Sequence, residues 1–202
     1  MEFIIKIFSD YICPFCYIGL GIVNELKKDY KIKEEWVGFE IHPETPSQGV
    51  SLVERFGAED FKVNMQRLER SGKKYGIEFG RLRSMPNSHN ALEAAEYARS
   101  VGKFDEYHKA LMDAYFRDSK NIGDIKVLLE IGKHIGLDPL ELSNTIKTHR
   151  FEHLLEYNRF LGKDLGIKST PTFVINAEYA IVGPQPIEVF RNLFDEIKIK
   201  RN

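Results

Sequence analysis

Residues 2–26, "EFIIKIFSDYICPFCYIGLGIVNEL", decide how the rest of the chain is read. The run from Glu2 to Ser9 is dense in β-branched and aromatic residues and too short for a helix, which makes it a buried strand. Pro14 suits the first turn of a helix, where its missing N–H is no loss and its fixed φ is already helical. Cys16, Leu20, Val23 and Leu26 then fall on one helical stripe. Gly19 and Gly21 weaken such a helix by about 1 kcal/mol each relative to alanine, so another backbone is expected to approach closely there. Downstream, "IKEEWVGFEIHP" (32–43) reads as a second strand, ended by Pro43 and the turn-rich "PETPSQG". Strand, helix and strand in this short compass make a βαβ unit with parallel strands.

From about residue 51 to 166 the periodicity is helical almost throughout. "AEDFKVNMQRLERSGKKYG" (58–76) carries Phe61, Met65 and Leu68 on one face, and "KFDEYHKALMDAYF" (103–116) repeats the pattern with Phe104, Tyr107, Leu111 and Tyr115. Sheet character returns in "PTFVI" (171–175) and "YAIV" (179–182), joined by the hairpin-length "NAE". "PIEVFRNLFDEIKIK" (186–200) closes the chain as an amphipathic helix through Ile187, Phe190, Leu193, Phe194 and Ile197. The expected class is α/β, with a discontinuous sheet domain over residues 1–47 and 167–202 and an inserted helical domain over 48–166.

Hydrophobic residues make up 43% of the chain and charged residues 29%, the balance of a soluble globule able to bury a core. A formal charge of −1 gives no electrostatic case for a nucleic-acid or anionic-membrane partner. The early apolar run, broken by Lys6, lacks the basic flank and cleavage site of a secretory signal. No stretch approaches the roughly 20 apolar residues of a membrane span. A cytoplasmic location follows as the expectation, and thiols there are kept reduced.

Cys13 and Cys16 are the only cysteines of the chain. At a helix N-terminus, unpaired N–H groups and the helix dipole stabilise a thiolate. Cys13 lies at that point and Cys16 one turn further in, close enough to close a disulfide. The first thiol attacks a substrate disulfide; the second resolves the mixed disulfide. Pro14 and Phe15 do not titrate and tune the pair through rigidity and packing. Two other accounts stand beside this one. Structural zinc would have to recruit two of the six histidines, and a buried structural pair would need no partner at all.

Taken together, "SDYICPFCYIG", the long helical insertion and "GIKSTPTFVINAEYAIVGPQP" resemble the DsbA-like thioredoxin superfamily, over nearly the whole chain. The likeness is nearest to its cytoplasmic FrnE-like branch of dithiol-disulfide isomerases and oxidoreductases. It implies a thioredoxin-like β-α-β…β-β-α fold, with Cys13 as exposed nucleophile and Cys16 as resolving thiol. It also implies substrate-binding roles for Pro14, Phe15, Thr170 and Thr172. A disulfide- or thiol-containing substrate, protein or small molecule, is implied as well, with no bound cofactor but glutathione as a conceivable co-substrate. Read alone, Pro171 is an ordinary trans proline at a strand head, since only about 5–6% of X–Pro bonds are cis. The resemblance instead makes it the family's cis-proline, opposite the active cysteine. Ile7 stands where many relatives carry a buried acid, so no proton shuttle is expected there. Kappa-class glutathione transferases and 2-hydroxychromene-2-carboxylate isomerases share the architecture, but usually show serine at the place of Cys13 and lack the resolving cysteine. A partner-binding module that retains the fold without catalysis is the remaining alternative.

Weaker signals have plain readings. Asp10 is expected to form a turn or cap, and a carboxylate so near would oppose thiolate formation at Cys13. His149 and His153, spaced i, i+4, could share a helix face as metal ligands do, yet read better as two solvated histidines. His42 reads as a satisfied surface histidine. "NSHNA" (87–91) starts a helix with Asn87 or Ser88 as cap, and resembles a family segment that faces the cleft. Phe15 and Tyr17 are candidates for an apolar rim, with core packing equally open to Tyr17.

Overall fold

Parallel pairing of two strands near the chain's start sets the frame in the computed structural model, which describes residues 1–201. Strand β1 (Glu2–Ser9) leads through the cysteine loop into helix α1 (Pro14–Leu26), and β2 (Lys31–Gly38) returns beside β1 in register Glu2 with Lys31 through Ser9 with Gly38. The middle of the chain supplies β3 (Val50–Ser51), α2 (Leu52–Phe56), α3 (Ala58–Lys73) and β4 (Ser84–Met85). Helices α4 (His89–Ser100), α5 (Phe104–Phe116), α6 (Ile125–His134), α7 (Pro139–Lys147) and α8 (Glu152–Asp164) follow. The chain closes with β5 (Thr172–Ile175), β6 (Tyr179–Val182) and α9 (Ile187–Arg201). The main sheet runs β2-β1-β5-β6, with β5 antiparallel to both β1 and β6. The α/β class therefore holds, and all four strands come from the two ends of the chain.

One departure from the sequence reading lies inside the helical stretch, where β3 and β4 pair antiparallel through Val50 with Met85 and Ser51 with Ser84. Strands of two residues are too short to show periodicity, and the pairing joins positions far apart in sequence.

A second departure concerns α1. Rather than one buried stripe, the helix buries an unbroken run from Cys16 to Val23 and then Leu26. It is covered on nearly every side because it lies against α9 as well as α3 and α5. Both glycines answer to that crowding. A Cβ on Gly21 would lie 2.9 Å from the Tyr75 carbonyl oxygen, and one on Gly19 would lie 3.1 Å from the Phe173 ring and 3.5 Å from Pro171. The close backbone neighbour expected from sequence is present at Gly21; at Gly19 the neighbours are side chains.

Helix α9 seals the sheet through Phe190, Phe194, Ile187 and Ile197. Phe194 stacks on Phe3 with ring centroids 4.2 Å apart, and Phe190 meets Phe173 edge-on at 5.0 Å, geometries favoured by aromatic quadrupoles. Among the described residues, no helix is long and apolar enough to cross a membrane.

Candidate active site

The turn between β1 and α1 is built by Asp10. Its backbone carbonyl accepts from the Cys13 N–H at 3.2 Å, and its Oδ1 accepts from the Ile12 N–H at 3.3 Å. Its Oδ2 accepts from the Ile41 N–H at 2.8 Å, which ties the loop after β2 to the cysteine loop. The turn-forming reading is thus right but incomplete, since the carboxyl is fully buried. Burial raises its pKa to about 6, against the opposing pull of the Ile41 amide, the Ser88 hydroxyl and the Ile12 amide.

Cys13 occupies the N-cap of α1 in extended conformation, with Pro14 in the first turn. Cys13 and Cys16 are both free thiols. The Cys13 thiol donates to the carbonyl oxygen of Thr170 at 3.3 Å, and the Thr170–Pro171 peptide bond is cis. The Cys13 pKa is lowered, first by the Cys16 thiol donating to its sulfur, then by the Thr170 hydroxyl and the Cys16 backbone N–H. Desolvation and the Asp10 carboxylate act in the opposite sense, as expected for a nearby acid. Cys16 is pushed well up, by complete burial first and then by its hydrogen bond to, and the charge of, Cys13. One thiol held toward its thiolate form thus faces a partner held as a thiol.

The exposed nucleophile expected from sequence needs correction, because Cys13 is only 4% exposed. Its sulfur opens into a cleft of about 670 Å³, not onto the outer surface. The cover comes from α3, whose Phe61, Met65 and Leu68 face the cysteine end of α1 across the cleft. Periodicity marked those three side chains as one apolar face, but not what that face would meet.

Pro14, Phe15 and Thr170 line the same cleft, and Phe15 stands at its edge, 48% exposed. Thr172 does not line it: the residue is 2% exposed, pairs with Phe8 in the sheet, and donates its hydroxyl to the Ser169 carbonyl at 2.7 Å. Tyr17 belongs to the core, stacked on Phe116 at 5.1 Å and donating to Asp113 at 2.7 Å. His42 reaches the cleft wall, with Nδ1 2.9 Å from Glu44 Oε1. Arg67 and Lys168 add two cations to the lining. Sequence gave no signal for these two beyond ordinary surface charge.

The helix does start at "NSHNA", with Ser88 at the N-cap, but the Ser88 side chain makes no cap bond; Asn87 Oδ1 instead accepts from the His89 N–H at 2.9 Å. The shared helix face of His149 and His153 does not form. His149 has φ 48° and sits in the corner between α7 and α8, outside both helices. A left-handed residue there ends the helical repeat on which that spacing argument relied.

Comparison with known proteins bears on the family and the fold. The family model described as DSBA-like thioredoxin domain matches residues 4–195. Uncharacterized protein YwbO of Bacillus subtilis (strain 168) is 26% identical over 200 residues, 98% of each chain. The crystal structure of a probable DsbA oxidoreductase from Streptomyces coelicolor superposes with TM-score 0.87 at 20% identity, covering 99% of this chain and 92% of that one. The cytosolic disulfide reductase DsbM from Pseudomonas aeruginosa, solved with GSH, superposes with TM-score 0.71 at 17% identity, covering 96% and 99%. The chain belongs to the DSBA-like thioredoxin domain family.

Proposed function

We propose that this DSBA-like chain is a thiol–disulfide oxidoreductase that works through Cys13 and Cys16 in the cleft between α1 and α3. The observation that carries the reading is the placement of the Cys13 sulfur. It sits at the helix N-terminus and opens into the cleft, with Cys16 in the first turn of the same helix and the Thr170 carbonyl oxygen 3.3 Å away.

In this reading the Cys13 thiolate attacks one sulfur of a substrate disulfide. A Cys13–substrate disulfide forms and the substrate's other sulfur departs as a thiolate that takes up a proton. Cys16 then loses its proton and attacks Cys13, which releases the second substrate thiol and leaves the Cys13–Cys16 disulfide. Two electrons have passed from the dithiol to the substrate. A second thiol donor returns them by the same steps in reverse. Isomerisation follows when, before Cys16 attacks, the freed substrate thiolate attacks a different disulfide of the same substrate and the thiolate expelled there displaces Cys13. Which direction dominates is set by the potential of the pair against the surrounding thiols.

The cleft favours a small or extended substrate with an apolar body and carboxylates. Phe15, Phe61 and Met65 supply apolar surface, while Arg67 and Lys168 supply positive charge. Glutathione, as a mixed disulfide or as the returning thiol, matches the charged part of that description through its two carboxylates and leaves the apolar wall to the group it is joined to; the GSH-bound Pseudomonas neighbour lends support. We place the pair in a cytoplasmic setting, where thiols are kept reduced.

The deciding experiment is turnover of a glutathione-mixed disulfide by wild type, Cys13→Ser and Cys16→Ser. Cys13→Ser is expected to be inactive, and Cys16→Ser to accumulate a Cys13–glutathione adduct visible by mass spectrometry. Retention of wild-type turnover by Cys13→Ser would overturn the assignment. Tight glutathione binding with full catalysis in Cys16→Ala would instead move the protein to the glutathione-dependent transferase and isomerase class.

A further inference from the structure

We propose that His89, Glu93, His149 and Glu152 form a binding site for a divalent first-row transition metal, separate from the cysteine pair. One ligand atom from each of the four lies within 4.8 Å of the others, and none of the four lines the cysteine cleft. His89 Nε2 is 2.7 Å from Glu152 Oε2, and His149 Nδ1 is 3.7 Å from Glu93 Oε2. Tetrahedral bonds of about 2.0–2.1 Å place neighbouring ligand atoms roughly 3.3 Å apart, so small side-chain adjustments bring this cluster to coordination distance.

The backbone explains how the four meet. His89 and Glu93 stand one turn apart at the start of α4 and so share a face. The left-handed conformation of His149 turns the chain between α7 and α8, and Glu152 opens α8. Two segments distant in sequence thereby each contribute one imidazole and one carboxylate.

Glu93 points independently to a cation. Its side chain is fully buried, and among the described residues neither of its oxygens has a hydrogen-bond partner. A buried carboxylate without donors is costly unless a positive charge satisfies it. A divalent ion would neutralise Glu93 and Glu152 together.

Glu40 supplies the outer support common to metal-bound histidines. Its Oε2 lies 3.3 Å from His89 Nδ1, and its side chain is 7% exposed. A proton held on Nδ1 by that carboxylate leaves the Nε2 lone pair facing Glu93, His149 and Glu152. The His149 side chain is 57% exposed, which leaves one side of the site open to water. A mixed imidazole and carboxylate set suits zinc, iron, manganese or cobalt better than calcium or copper(I), and zinc is the natural first choice.

The test uses the full chain carrying Cys13→Ser and Cys16→Ser, so that thiols cannot compete for metal. After chelator treatment, Zn²⁺ binding is measured by calorimetry, and Co²⁺ binding by its visible absorption. The site predicts one equivalent of each. Glu93→Gln and His149→Asn should each weaken Zn²⁺ at least about 100-fold, and Glu40→Gln about 10-fold. Asparagine is chosen at His149 because it tolerates the left-handed backbone. Melting without metal checks that each variant folds. If Glu93→Gln fails that check, the exposed His149→Asn still decides. Absence of stoichiometric Zn²⁺ binding, or affinities within about threefold of the parent in the folded ligand variants, would overturn the site.

Discussion

The sulfur of Cys13 lies 3.3 Å from the carbonyl oxygen of Thr170, a residue 157 positions later in the chain. The contact joins the N-terminus of α1 to the loop that heads β5. It is a hydrogen bond only while Cys13 holds its proton. On ionisation that carbonyl loses its donor, and the Cys16 thiol is the leading influence that favours the charge on Cys13.

Removing the Cys16 thiol should therefore make Cys13 harder to ionise. The leading cause of its lowered pKa is the hydrogen bond from Cys16. In Cys16→Ala, the alkylation rate of Cys13 against pH should shift its midpoint upward from the Cys13 midpoint of the reduced wild type. A midpoint that stays or falls would show that the helix terminus does the work without Cys16.

Asp10 should leave its own mark on that profile. Its carboxyl, raised to about 6 by burial, is neutral below that pH and charged above it, and the charge opposes the Cys13 thiolate. Linkage gives the sign for stability. Because the folded value lies above the ordinary 3.8, Asp10 costs stability progressively as pH rises from about 4 to 6, and the cost is complete above 6. Asp10→Asn should lower the Cys13 midpoint and remove any inflection near pH 6 from its reactivity. An unchanged profile would contradict this.

Acid sensitivity should trace to His108. This imidazole is 4% exposed, stacks on Phe104, and meets the Tyr11 hydroxyl at 2.9 Å through Nδ1. Burial first, then Arg99, lower its pKa from 6.5 to about 3. The unfolded chain gains a proton near pH 6.5 that the folded chain refuses until about pH 3. Stability present above pH 6.5 is thus lost as pH falls through that window, by roughly 5 kcal/mol at about 1.4 kcal/mol per pH unit. His108→Gln keeps a partner for Tyr11 and cannot titrate. Denaturant melts at pH 7 and pH 4 should converge for this variant far more than for wild type.

Gly21→Ala should destabilise the fold without touching the thiols. The new methyl would meet the Tyr75 carbonyl oxygen at 2.9 Å, and backbone yields less readily than the tip of a side chain. A loss of about 1–3 kcal/mol is expected from overpacking, which outweighs the helix-propensity gain of about 1 kcal/mol. A melting temperature equal to or above that of wild type would refute the close packing of α1.

Substrate charge should be read by Arg67 and Lys168. For a glutathione-mixed disulfide, Arg67→Ala and Lys168→Ala should each raise KM several-fold, in line with about 1 kcal/mol per exposed charge contact, and leave kcat near wild type. An uncharged dialkyl disulfide should not distinguish the variants from wild type.

Much of the molecule was legible in order along the chain. Strand β1, the Pro14 start of α1 and the closing hairpin and helix are local features, carried by β-branched density, a proline at its preferred helical position and i, i+3/i+4 spacing. The two-residue strands β3 and β4 were not legible, because their stability comes from each other and not from any local pattern. Nor was the burial of Cys13. A helix end is exposed until some other element covers it, and nothing near residue 13 names α3 as the cover.

The residues at 13 and 16 and the elements around them follow from local chemistry: thiols at a helix start preceded by an apolar strand need no distant partner to be recognised. The depth of the cleft, the burial and raised pKa of Asp10, the meeting of Cys13 with Thr170, and the gathering of His89 and Glu93 with His149 and Glu152 come from contacts between segments far apart in the chain. Those depend on how the elements pack. Desolvation and charge act through space, so these properties exist only once the chain has closed around them.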